Sequence, residues 1–367
     1  MSQSEKETLS WGYLHRDENG NLTRFDSAPR APVKAQWSPR LGVGYPITDR
    51  TAFHFSYGQF YQFPDLVNMY NYSNYQGEGI SPPGWSEETN SLAKDFLYGN
   101  PYYPFPYNIT DWYIPEVGTP NVKPQRSVQY ETGLRTRVGS QYLLTVNLYY
   151  KDMFDYIASK RYDADPSQYA IYENMDYANS RGLEVSLKKL FLNGIDWDLN
   201  YTLARAEGNA PTPDYHWYVA EWASGYDWRD FNRTYTMPWD QTHTINFRLN
   251  YFTPQGFGIS TIGSYGSGLP YTPEDARARP IDEQYSGRMP STSNVNLKLF
   301  YDRTIRGYNF RFFADITNFL DKENVLAVDN TTGEPDATLD SGQSPMVVWK
   351  PYYISPPRHI EIGISVG

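Results

Sequence analysis

From Val128 to Val138 the chain changes character at every step: Val128, Tyr130, Thr132, Leu134, Thr136 and Val138 alternate with Gln129, Glu131, Gly133, Arg135 and Arg137. Successive side chains of a β-strand point to opposite faces, so this segment carries one apolar face and one polar face. The pattern returns four more times. Ile195, Trp197, Leu199, Tyr201 and Leu203 alternate with Asp196, Asp198, Asn200 and Thr202; Ile245, Phe247, Leu249 and Tyr251 with Asn246, Arg248 and Asn250. Val295, Leu297, Leu299 and Tyr301 alternate with Asn296, Lys298 and, less cleanly, Phe300; Ile360, Ile362, Ile364 and Val366 with Glu361, Gly363 and Ser365. No helical period of useful length competes. These runs match the roughly nine to eleven residues that a tilted strand needs to cross a bilayer core, whereas soluble sandwich strands are commonly about 5–6. The expected fold is therefore all-β: an antiparallel transmembrane barrel whose apolar face meets lipid and whose charged face (Arg135, Arg137, Asp196, Asp198, Arg248, Lys298) lines a polar lumen.

The connections sort by length. Those at "ITDRT", "VGSQY", "LFLNGI", "FTPQGF" and "IRGY" are tight. Those from Phe60 to Gln125, Glu207 to Gln241 and Leu320 to Pro357 are long, and those from Asp155 to Met175 and Leu269 to Thr292 are medium. Short turns on one side and long loops on the other are the pattern of outer-membrane barrels. A propeller does not sort its loops this way, and no self-similar repeat of about 40–50 residues is present. Counting gives about eleven strands from near Ser38 to the last residue. That is half of the 22 of plugged outer-membrane transporters, and an odd open set leaves two raw edges. The expectation is a C-terminal half-barrel over 38–367, preceded at 1–37 by a loop or linker; a strand hidden there would make twelve.

Composition narrows the function. Mean hydropathy is −0.66 and no run approaches the roughly 20 apolar residues of a membrane helix, which leaves barrels open. Cysteine is absent, so disulfides, thiol catalysis and Cys-ligated zinc are out. A net charge of −10 argues against nucleic acid as a partner. His15, His54, His216, His243 and His359 are isolated, with no metal-ligand spacing. "DNTTGEPD" at Asp329 to Asp336 reads as a turn rather than a calcium loop. No Gly-x-Ser-x-Gly or phosphate loop is present, so neither an enzyme nor a cofactor is expected. The polar start "MSQSEKETLSWGY" lacks a leader, and the sequence is expected to begin mid-protein.

Five blocks, in order, resemble TonB-dependent receptor barrels: "SPRLGVGYPITDRTAFHFSYGQFYQFPDLVNMY" (Ser38 to Tyr70), "NVKPQRSVQYETGLR" (Asn121 to Arg135), "NMDYANSRGLEVSL" (Asn174 to Leu187), "FFADITNFLDKEN" (Phe312 to Asn324) and "PPRHIEIGISV" (Pro356 to Val366). The resemblance implies a plugged receptor in the bacterial outer membrane. It would draw energy through TonB and import ligands too large or scarce for porins. It also implies structural roles for Asn174, Arg181, Gly182, Glu184, Asn318 and Asp321. The partners it implies are outer-membrane lipid, the TonB complex through a plug region missing from this sequence, and a surface lipoprotein. Two features depart from the family pattern. Signal, TonB-contacting segment and plug are not in the sequence, and the chain ends in Gly367 where the family favours an aromatic residue.

Aromatic residues make up 17% of the chain, with 34 Tyr and 10 Trp. Many fall in the long connections, where Trp85, Tyr103, Trp112, Trp217, Trp222 and Trp228 are candidates for a ligand vestibule. Flat rings suit sugars, peptides or planar siderophores; the other reading is loop packing or an interfacial girdle. Arg181 and Glu184 read as a lumen pair, within a satisfied network inside the wall or facing a plug. Arg135, Arg137 and Arg248 read as attracting an anionic ligand or, more ordinarily, as neutralising nearby carboxylates. Import is thus the expected function. Its rivals are a passive porin-like or structural barrel, an outer-membrane enzyme and a soluble carbohydrate-binding β-protein. The fragment alone is expected to aggregate at its edges.

Overall fold

The computed structural model describes residues 14–16, 22–25, 32–70, 116–117, 119, 121–162, 169–211, 233–275, 280, 283–340, 345–349 and 351–367. Eleven strands run in sequence order as one meander. They are β1 (Arg40–Pro46), β2 (Thr51–Gln62), β3 (Gln125–Val138), β4 (Tyr142–Tyr162), β5 (Tyr169–Leu192) and β6 (Ile195–Gly208), followed by β7 (His243–Phe252), β8 (Phe257–Gly266), β9 (Thr292–Ile305), β10 (Tyr308–Thr317) and β11 (His359–Val366). Each pairs antiparallel with its sequence neighbours, and β1 and β11 do not pair with each other, so the sheet is open. Glu116–Val117 adds to β5 in parallel and Tyr235–Thr236 adds to β6. A separate ribbon joins Leu14–Arg16 to Leu22–Phe25.

All five tight connections lie at one end of the sheet. Two are two-residue turns that require positive φ at both central positions. Asn193 and Gly194 meet this at 56° and 79°, and Arg306 and Gly307 at 51° and 87°.

The cross-strand register sorts the two faces cleanly. On one face a row runs Leu144, Leu187, Leu199, Phe247, Gly263, Val295 across six strands. Above it lies a second, Phe53, Leu134, Val146, Val185, Tyr201, Ile245, Tyr265. Among the described residues nothing covers them: Leu134 and Leu199 are 43% and 42% exposed. Aromatics bracket these rows. Toward the tight turns Tyr142 packs on Trp197, ring centroids 6.1 Å apart; toward the long loops Tyr57 packs on Tyr130 at 5.2 Å. The eight steps along β6 from Trp197 to Arg205 span about 27 Å of strand, a rise of roughly 19–22 Å at the usual barrel tilt, near the roughly 25 Å apolar band of a membrane barrel.

On the opposite face charges meet in register. Asp198 lies between Lys188 and Arg248. It pairs with Arg248 and, at 3.6 Å, with Lys188. Lys298 meets Asp315 at 2.9 Å, and Arg311 holds Asp302 with two bonds of 2.7 Å. This face is not uniformly polar. Phe252 and Phe300 pack at 5.7 Å near the tight-turn end, and Arg311 lies over Phe300 at 4.6 Å.

The strands correct one expected connection. Asp155 to Met175 is mostly strand, since β4 and β5 are 21 and 24 residues long. A bulge between Met153 and Ile157, with Asp155 at φ 58°, resets the pairing. Beyond it the hairpin projects past the apolar rows, and there Val122, Ile157 and Tyr172 form a small buried cluster with Met69 against it.

Candidate functional site

The six aromatic candidates Trp85, Tyr103, Trp112, Trp217, Trp222 and Trp228 lie outside the described residues. Among the described residues the long-loop end holds a set of clasps that fix the loop roots, with a cavity beside them.

Asn174 forms the first clasp. Its Oδ1 accepts from Lys123 N at 2.6 Å, and its Nδ2 donates to Lys123 O at 2.9 Å and Asp155 O at 2.7 Å. A primary amide has donor and acceptor in one plane, so one side chain can tie three backbone segments. Asp240 forms the second. Its side chain is 1% exposed, accepts from Ala206 N at 2.7 Å and Thr242 Oγ1 at 3.1 Å, and pairs with Arg288 at 2.7 Å. Arg288 also donates to Asp240 O at 2.9 Å, so the loops after β6 and β8 are locked together. In the latter loop, burial pushes the Tyr285 phenol above its ordinary range.

The third clasp is built from the segment after β10. Asn318 (φ 51°) donates to Lys322 O and Pro356 O, both at 3.1 Å, and accepts from Lys322 N at 3.1 Å. Asp321 (φ 53°) accepts from Arg358 N at 2.8 Å. Asn324 reaches back to Ser293, accepting from its N at 2.7 Å and donating to its O at 2.9 Å. Three strands, β9, β10 and β11, are thereby joined at their loop ends. Asn324 closes the quoted motif block but does not stand out by type; Asp240 carries no sequence signal at all, because only its burial marks it.

Arg181 and Glu184 do not form a pair. They lie three positions apart in β5, on opposite faces. Arg181 faces the apolar side, where its guanidinium donates to Asn179 Oδ1 at 3.0 Å and Glu207 Oε2 at 2.9 Å; Arg205 meets the same Glu207 at 2.6 Å. With Asp152, bonded by the Tyr177 hydroxyl at 2.8 Å, these groups form a polar band directly above Leu183 and Leu203. Glu184 faces the charged side opposite Asn147 and Thr202. Gly182, between them, has no room for a Cβ, which would fall 2.6 Å from Leu203 O and 2.7 Å from the Tyr149 ring. Gly182→Val is expected to cost about 1–3 kcal/mol, the usual range for overpacking. It would lower the urea midpoint of the folded band in heat-modifiability gels, and an unchanged midpoint would refute the contact. Of the three arginines read as anion-attracting or neutralising, Arg248 is neutralised by Asp198 and Asp196. Arg135 and Arg137 have no carboxylate partner among the described residues.

Between the third clasp and the ends of β8–β11 lies a cavity of about 430 Å³. Ser264, Thr292, Asn294, Thr317 and His359 line it from the charged-face side of the wall, and Leu326 and two prolines close it from the loop.

An open meander with an uncovered apolar belt, aromatic borders, a charged opposite face and sorted connections defines the wall of an outer-membrane β-barrel. The chain belongs to the TonB-dependent receptor family: the family model described as TonB dependent receptor-like, beta-barrel, matches residues 13–319. It therefore sits in the bacterial outer membrane, apolar face to lipid and charged face to lumen, and groups with receptors and transporters rather than enzymes. Among solved structures it is similar in fold to the outer membrane transporter YddB from Escherichia coli, at 12% identity and TM-score 0.58, over 89% of this chain and 40% of that one. A variant of the ferric enterobactin receptor PfeA from Pseudomonas aeruginosa matches at 15% and 0.54, over 90% and 40%. The siderophore receptor PirA from Acinetobacter baumannii matches at 15% and 0.53, over 90% and 40%. The chain thus spans about 40% of the length of these structures. No curated protein matches it.

Proposed function

We propose that the protein is the wall of a gated outer-membrane receptor that binds a bulky ligand (a siderophore, glycan or peptide) at its long-loop end and releases it to the periplasm when TonB pulls on a plug. The observation that carries this reading is the open sheet: eleven paired strands whose two edges have no partner among the described residues. In lipid each orphaned backbone group costs several kcal/mol, so the working wall needs further strands at β1 and β11. The 40% span of the structural neighbours is consistent with a complement of equal size, giving 22 strands. By this reading residues 1–37 link to that upstream part, and the partners are the TonB complex through the plug and a surface lipoprotein over the mouth.

The lumen supports transport rather than chemistry. Across β5–β10 its ionised groups meet in pairs, as at Asp198–Arg248, Lys298–Asp315 and Asp302–Arg311. The complete gene product in planar bilayers is expected to hold a closed pore, and cells to lose ligand uptake when tonB is deleted. Steady ungated conductance would instead identify a passive porin-like barrel.

A further inference from the structure

We propose that the cavity at the loop ends of β8–β11 is a wall subsite for one residue of a neutral carbohydrate. This rests on the import reading and names the ligand class for it.

The position comes first. Ser264 and Asn294 are directly paired across β8 and β9, and Thr317 and His359 across β10 and β11. By register all four fall on the lumen face that carries Lys298 and Asp315, at its long-loop end. A ligand descending from the loops passes this stretch of wall before the charged rows below it.

The chemistry of the lining comes next. Among the described residues no carboxylate, lysine or arginine lines the cavity. That is unlike the rest of the lumen face, where Lys188, Asp198, Arg248, Lys298, Asp302, Arg311 and Asp315 are all ionised pairs. Its polar lining is made of hydroxyls, amides and the His359 imidazole instead. The side chains of Ser264, Thr292, Asn294 and Thr317 have no hydrogen-bond partner among the described residues, and Asn294 Oδ1 is a shielded atom left unpaired in the wall. The hydroxyls of Ser264, Thr292 and Thr317 can each donate and accept, so this wall suits a group that does both. Leu326, Pro356 and Pro357 add apolar surface to the lining.

A sugar ring has the same mixture, with hydroxyls at its edge and C–H groups on its face. An anionic iron chelate suits the site less well, because no lysine or arginine lines it and the His359 imidazole is the one lining group able to carry a positive charge. At about 430 Å³ the space is in the lower range of small-ligand pockets, enough for a single sugar unit and not for a whole oligosaccharide. The rest of the chain would extend into the mouth.

The walls are fixed independently of any ligand. Asn318 and Asn324, which border the cavity, spend their amides on Lys322, Pro356 and Ser293. The ligand-facing groups are therefore held by a frame that does not itself need the ligand, which limits the ordering cost of binding.

The test uses the complete gene product in detergent micelles on an array of neutral oligosaccharides, followed by calorimetry with the best binder. Asn294→Leu and the near-isosteric Thr317→Val are each expected to weaken binding at least tenfold, while Tyr308→Phe at the opposite end leaves it unchanged. Thr317→Val keeps the test decisive should Asn294→Leu fail to fold. No neutral glycan bound by the wild-type protein, or binding indifferent to Thr317→Val because only water fills the cavity, overturns the subsite. TonB-dependent uptake of an anionic chelate without sugar binding would remove the subsite and leave import standing. Sugar binding in cells whose uptake ignores tonB would do the reverse.

Discussion

Asn318→Ala is expected to destabilise the folded barrel by about 3–4 kcal/mol. The change removes one side chain and three hydrogen bonds at once: Lys322 N and Pro356 O lose this partner, and Lys322 O is left with only the Ser355 hydroxyl at 3.4 Å. Asn318 is 5% exposed, so water does not readily replace it. Each buried orphan costs about 1–3 kcal/mol, reduced here because carbonyls tolerate losing one of two lone-pair partners. The left-handed backbone, φ 51°, adds about 1–2 kcal/mol, since asparagine adopts it more readily than alanine. Asn318→Gly relieves the backbone and keeps the orphans, so it should recover about 1 kcal/mol of the loss. The measurement is the urea midpoint of the heat-modifiable band for the complete gene product in detergent. A midpoint within about 1 kcal/mol of wild type for the alanine variant would mean that the clasp is ornamental.

The second large effect separates the two faces of one strand. Leu199→Arg puts a charge in the middle of the outward belt, between Leu187 and Phe247, and should cost about 2–4 kcal/mol in lipid. Asn200→Arg, one position along, points to the lumen between Ser186 and Asn246, where the expected cost is under about 1 kcal/mol. Folding titrations into phospholipid vesicles compare the two directly. Equal costs would show that β6 has no lipid side and would sink the barrel assignment.

Much of the wall was legible because lipid and water sit on opposite sides of a single layer. Alternation then runs unbroken along each strand, as from Ile195 to Leu203, and no second packed layer obscures it. The turns were legible for a separate reason: Asn193–Gly194 and Arg306–Gly307 combine minimal length with residues or neighbours suited to positive φ. The projecting hairpin was not. At Met153–Ile157 the bulge shifts the phase, and a two-residue period cannot be followed across an inserted residue. Arg181 and Glu184 illustrate a different failure. Their shared motif suggests a pair, yet an odd separation in a strand places them on opposite faces, and parity outweighs motif. The cavity was hidden for a third reason. Ser264, Asn294, Thr317 and His359 come from four strands, and hydroxyls scattered over about 100 residues show no pattern until register brings them together.

The band of Asp152, Arg181, Arg205 and Glu207 on the outward face has a bearing on how the molecule floats. It begins one residue pair above the leucines at 183 and 203. A slip of one pair, about 6.6 Å along the strand, would drag Arg181 and Arg205 into hydrocarbon. A slip the other way would lift those leucines into the headgroups. The draught of the protein in its membrane is therefore set by its own side chains, and the loop roots above the waterline are held at a constant height over the cell surface.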